Sequence, residues 1–246
     1  MFANLIRSEW VKIRTVGATA WCLLTLTALA VGVAALIALK EQTQVPRSLP
    51  VLVNMSQLGL SIGQLAVVVL AATNIGGEYG TGMIRTSLVA VPRRARWLLA
   101  KAIVVGALAL VTGIVLSVIS FAIVYASAPA DLGTLADPQV IRAVLGVGLY
   151  LGVLAVLSLA VTTIVRGTAG GIIVMFVLIF VVPFAVGSHM GRFLPVGTLP
   201  PNAGLAITQV EPMLGGLAPW VGFAVLCAWT VAAMAVALYR LVRRDA

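Results

Sequence analysis

The chain has 246 residues, of which 9% are charged and 61% apolar, and a mean hydropathy of +1.14. A soluble domain carries about a quarter charged residues, so a water-soluble enzyme, a disordered chain and a secreted disulfide scaffold are excluded. The net charge of +9 would suggest nucleic acid in a soluble protein. Here the positives cluster at the ends of apolar runs, which orients membrane helices, and no nucleic-acid partner is expected.

Residues 1–16 form the first predicted element. Phe2, Leu5, Ile6, Trp10 and Ile13 recur at helical spacing, with Arg7, Lys12 and Arg14 elsewhere on the wheel. This pattern predicts an amphipathic helix lying in the cytoplasmic interface, with Arg7, Trp10, Lys12 and Arg14 anchoring it to membrane lipid. Six apolar runs follow, at about 18–39, 51–74, 102–126, 141–165, 168–187 and 217–239. Each reaches the ~20 residues a helix needs to cross a bilayer. None alternates as a barrel strand would. A basic start before an apolar run also describes a signal peptide, but the run continues to Leu39, beyond a signal core. The expected fold is an all-α integral membrane protein with six transmembrane helices, forming a single domain over residues 1–246.

Charge sets the expected orientation. Twelve of the 16 Lys and Arg residues fall in the N-terminal segment, the connections after spans 2 and 4, and the C-terminus. That asymmetry places both termini in the cytoplasm.

Span 2 carries a polar stripe. Asn54, Gln57, Ser61 and Gln64 are spaced 3, 4 and 3 residues apart, so they share one helical face. Polar groups facing lipid would lose hydrogen bonds. The stripe therefore either packs against other helices or lines a water-accessible path. Gly59 and Gly63, and Gly148 and Gly152, form small-residue repeats that suit close helix packing.

Gly76-Gly77-Glu78-Tyr79-Gly80-Thr81 follows span 2. The two glycines are expected to end the span in left-handed conformations. Glu78 would then open a short cytoplasmic helix, where the dipole favours negative charge. Ile84, Leu88 and Val91 would give that helix an apolar stripe, and Pro92 would end it.

Enzymatic motifs are absent. The chain has no Gly-rich phosphate loop, no Cys or His spacing suited to a metal and no nucleophile elbow. Its one histidine, His189, lies in the expected outer loop. Neither a catalytic residue nor a cofactor of its own is expected.

The run Glu78-Tyr79-Gly80-Thr81, Arg85, Pro92-Arg93-Arg94 and Lys101 resembles the intracellular loop of type-2 ABC transporter permeases. Arg7-Ser8-Glu9-Trp10-Val11-Lys12-Ile13-Arg14-Thr15 resembles the start of such subunits, and Phe193-Leu194-Pro195 with Pro201-Asn202-Ala203-Gly204 resembles their outer segment. The resemblance implies two copies of a separate cytoplasmic ABC ATPase, which bind ATP and Mg, and a second permease subunit, identical or different. It implies an ATPase-coupling helix at about Glu78–Val91, with Glu78, Gly80, Thr81, Arg85, Pro92 and Arg93 as coupling residues. It also implies a path lined by spans 2 and 5 and a partly re-entrant outer segment at 188–216. The expected function is export of a small amphipathic molecule, drug or lipid-like substrate across the bacterial cytoplasmic membrane. A non-transporting scaffold or sensor is the alternative. An ion-coupled carrier is disfavoured, because the six runs hold no Asp, Glu, Lys or His.

Overall fold

The computed structural model describes residues 2–41, 48–84, 86, 94–127, 137–189, 196–210 and 216–243. Helix α1, Phe2–Thr15, precedes the first span, α2, Gly17–Glu41. The second span is built from α3, Leu49–Ser56, and α4, Leu58–Gly80. Helix α5, Arg94–Ala126, is the third span and α6, Pro138–Val165, the fourth. The fifth joins α7, Thr168–Phe176, through a π-helical turn at Val177–Val181 to α8, Val182–His189. Short helical turns, including α9, Pro200–Leu205, lead to the sixth span, α10, Pro219–Arg243. Six helical stretches among the described residues are long and apolar enough to cross a membrane.

The spans outrun the apolar cores that predicted them. Span 3 starts at Arg94 rather than near 102, and span 2 continues to Gly80 rather than ending near 74. Gly76 and Gly77 therefore do not terminate the helix. Gly76 is there for close approach: a Cβ would lie 2.2 Å from the Thr168 hydroxyl of α7. The left-handed residue is instead Gly82, at φ +71°. Glu78 accordingly sits in the last turn of α4, not at the start of a new helix, and the helix dipole does not favour it. Of the expected short helix, Met83, Ile84 and Thr86 are helical, while Leu88, Val91 and Pro92 lie outside the described residues.

Helix α6 is the central post. Asp137 caps it by accepting from the Gln139 N–H at 2.8 Å, and Pro138 occupies the first turn, where no N–H is needed. Arg166 ends it in a left-handed conformation, φ 62°, and α7 begins two residues later.

Inside a bilayer, apolar burial does not distinguish helix from lipid, so close packing and interhelical hydrogen bonds carry association. A Cβ on Gly59 would lie 2.3 Å from the Leu29 carbonyl of α2, and one on Gly63 would lie 2.7 Å from the Leu26 side chain. Gly113 of α5 meets the backbone of Gly148 on α6, and Gly152 meets Leu110. Ser120 donates to the Ala30 carbonyl at 3.2 Å and Ser158 to that of Val68 at 3.1 Å.

Two departures from regular helix have local causes. Gln57 interrupts span 2 as a single turn residue. In span 5, Pro183 has no N–H to donate, and the π-turn just before it absorbs the mismatch, with the Val182 N–H reaching Val177.

The segment between spans 5 and 6 packs along the first half of α6. Arg142 donates to the carbonyls of Gln209 and Val210 at 3.0 and 3.4 Å, Ile207 lies against Gly146, and Gly204 against Tyr150. The segment thus follows α6 for about 12 Å, from Arg142 to its midpoint. Irregular backbone level with the middle of a span must be enclosed by protein; Ala203, Gly204, Ile207 and Thr208 are all buried.

Gly59→Val should destabilise the protein by about 1–3 kcal/mol through overpacking against α2. Gly77→Ala, where a Cβ meets nothing within 4 Å, should be neutral or stabilising. Thermal unfolding in detergent distinguishes the two.

Candidate functional site: a closed ring of charges at the end of span 2

The last turn of α4 faces the start of α5 and the inner side of α1. There Glu9, Lys12, Glu78 and Lys101 form a closed ring of ion pairs. Lys12 Nζ donates to Glu9 Oε1 at 2.9 Å and to Glu78 Oε1 at 3.0 Å. Lys101 Nζ donates to Glu9 Oε2 at 2.7 Å and to Glu78 Oε1 at 2.9 Å. Its third hydrogen bond goes to Asn74 Oδ1 at 3.1 Å, filling the donor capacity of an ammonium group. The same nitrogen lies 5.4 Å from the centre of the Trp97 ring, within cation–π range.

Helix geometry explains the assembly. Ile6, Glu9 and Ile13 are spaced three and four apart, so one inward face of α1 carries the carboxylate. Lys12 is three residues from Glu9 and can fold onto it. Asn74 and Glu78 are one turn apart on α4. Glu9 and Glu78 are buried, Lys101 is only 1% exposed, and Lys12 forms the half-exposed rim. An unpaired charge so buried would cost several kcal/mol, whereas two carboxylates and two ammonium groups together carry no net charge. Glu78 Oε2 is the one carboxylate oxygen of the ring that is buried without a protein partner among the described residues. A cavity of about 240 Å³ adjoins the ring, and Thr15, Thr19, Thr73 and Asn74 are among its lining residues. It is wide enough, and has polar groups enough, to hold water, the ready partner for that oxygen.

These positions modify the sequence reading. With the helices extended, spans 2 and 3 do hold Glu78 and Lys101, contrary to the expectation that the spans lack such groups. Both lie toward the helix ends and are neutralised by pairing. Lys12 turns inward to the ring rather than outward as a lipid anchor, while Arg7 and Arg14 remain exposed. Trp10 is 41% exposed, with the Arg14 guanidinium 6.0 Å from its ring centre. Gly80 ends α4, and the Thr81 hydroxyl donates to the Gly77 carbonyl at 2.8 Å. Arg85, Pro92 and Arg93 lie outside the described residues. Glu9 and Lys101, quoted only within motifs, are the residues whose role sequence reasoning missed. The available signal was an isolated carboxylate on the apolar side of a basic helix.

The stripe of span 2 divides. Gln57 is buried and donates to the Ala143 carbonyl at 3.3 Å. Gln64 is buried, donates to the Ser61 carbonyl at 2.7 Å and accepts from the Tyr150 hydroxyl. Ser61 is half-buried and donates to the Gln57 carbonyl at 3.2 Å. Asn54 is exposed. Within one chain the two glutamines bond span 2 to span 4.

The model of the family described as ABC-2 family transporter protein matches residues 5–182. The chain belongs to the ABC-2 transporter family. Comparison with curated proteins finds no match. Family membership makes the chain the membrane component of an ABC transporter that works with an ABC ATPase subunit. The whole ring lies within the matched residues of this ABC-2 chain, whereas the segment 196–210 lies beyond them.

Two outcomes follow. Lys101→Met should destabilise the protein by about 3–5 kcal/mol, because two buried carboxylates would share one lysine; adding Glu9→Leu should recover most of the loss. Unfolding of the single and double variants in detergent measures this. Burial alone would lower the Lys12 pKa, but the hydrogen bonds and charges of Glu9 and Glu78 outweigh it and raise it above the ordinary 10.5. The contribution of Lys12 is therefore complete below that value and is lost as pH rises through the higher folded value. Protease protection of α1 should be flat from neutral pH to about 10 and fall only in stronger alkali.

Proposed function

We propose that this chain is the permease subunit of an ATP-driven exporter. Two six-span subunits, identical or different, would enclose the path, and two copies of a cytoplasmic ATPase would bind ATP and Mg. The proposed cargo is a small amphipathic molecule, drug or lipid-like substrate. Both termini and the connection after Gly80 would face the cytoplasm, in keeping with the distribution of Lys and Arg.

The observation that carries this reading is the location of the charge ring. It stands at the root of the segment that resembles an ATPase-coupling helix, and it bonds that root to both α1 and α5. ATP-driven closure of the partner subunits would displace the coupling segment, including Arg85, Pro92 and Arg93. Glu78 cannot leave Lys101 and Lys12 without stranding buried charges. The displacement therefore passes to α1 and span 3 together, and the spans shift between inward- and outward-open states. Binding of ATP drives the change only by favouring one state over the other. The stripe Asn54, Gln57, Ser61 and Gln64 bears on the path by fixing span 2 to span 4, with Asn54 and Ser61 the members left accessible.

Affinity purification in mild detergent should recover a stoichiometric ATPase subunit, and deletion of residues 83–91 should abolish its recovery. A Lys12→Met, Glu78→Gln variant should retain the ATPase and its ATP hydrolysis but lose at least about tenfold in transport, a loss of ~1.4 kcal/mol of coupling. Wild-type transport by that variant would remove the ring from the mechanism. Recovery without any ATPase would favour a scaffold.

A further inference from the structure

Helices α5 and α10 both pack on α6, where Gly106 and Gly152 bring α5 and α6 together, but they leave a gap between themselves over part of their length. Between them is a lateral groove of about 570 Å³, within the volume range of ligand sites. Ile103 and Ala107 form one wall, Val231 and Met234 the other, and Gly152 and Val153 the floor. The lining is almost wholly apolar. The hydroxyl of Thr230, which also lines the groove, is already bonded to the Leu226 carbonyl at 2.9 Å.

The groove has a defined start and end. On α5 it runs from Leu99 to Leu110, a rise of about 16 Å, close to one leaflet of a hydrocarbon core ~30 Å thick. Its lining stops at Leu110, Leu149 and Cys227, and the next residues, Tyr150 and Leu226, pack against Gly204 instead. At the other end Arg94 donates to the carbonyls of Leu241 and Val242, tying α5 to the last turn of α10. Arg96 is exposed and lies three residues before Leu99, on the same face of α5.

We infer that this groove binds an anionic phospholipid of the cytoplasmic leaflet, with an acyl chain along the slot and the phosphate at Arg96. The leaflet assignment rests on the orientation proposed above. A membrane-spanning helix of a second copy does not fit a slot only one leaflet long. An acyl chain does, and the exposed Arg96 guanidinium beside the Leu99 end matches a phosphate and is wasted on an apolar partner.

The test is native mass spectrometry of the purified complex, using phosphatidylglycerol and phosphatidylcholine as probes. The wild type should retain phosphatidylglycerol at least about fivefold better than phosphatidylcholine. Ala107→Trp, at an exposed position that fills the slot, and Arg96→Gln should each reduce retention about fivefold or more. Val118→Trp, exposed on the outer half of α5, should leave it unchanged. Equal retention of the two lipids, or wild-type retention by both groove variants, overturns the site. So does disulfide crosslinking of Ala107→Cys to a second copy. Recovery of the ATPase with each variant reads the transporter assignment separately. Labelling of Arg96→Cys by an impermeant thiol reagent from the cytoplasmic side alone reads the orientation.

Discussion

Two carboxylates and two ammonium groups in a half-dry site are stable only together. That constraint organises one end of the molecule. Lys101 is held by three oxygens from α1 and α4, Glu9 bridges two lysines, and Glu78 closes the ring. Removing one member costs more than the pair interaction it supplied, because the partner stays buried. Helix α1 is thereby fastened to the bundle by charge, beside the buried Ile13.

Away from the ring, the bundle is held by what its side chains lack. Gly59, Gly113, Gly148 and Gly152 let backbones approach within the reach of a missing methyl group. Serine, glutamine and tyrosine then make interhelical bonds that neither lipid nor leucine can replace. The same economy leaves Trp21, Phe184 and Val231 on spans 1, 5 and 6 largely exposed on the single chain.

Six spans and the N-terminal helix were legible in the sequence because hydropathy and the 3.6-residue period report them directly. The ends of spans 2 and 3 were not legible. Apolar runs mark only the part of a helix that needs lipid, and Glu78 and Lys101 lie beyond it on helix that needs a partner. Gly76 misled for a related reason: a glycine permits both a turn and a close contact, and only the position of Thr168 decides between them. The stripe of span 2 was visible by its spacing. Its division into bonded glutamines and accessible Asn54 depends on Ala143 and Tyr150, some 86 residues away in sequence. The ring itself required knowing that α1 folds back onto span 3, information that local pattern does not hold.

The wide turn in span 5 has a geometric consequence. Gly171, Met175 and Ile179 are buried at strict four-residue intervals. A regular helix would carry such a series steadily around its axis, ~40° per step. The extra residue stored at Val177–Val181 underwinds the helix and keeps Ile179 facing the bundle. The span thus changes its helical phase at one turn, placed by Pro183, without interrupting the helix.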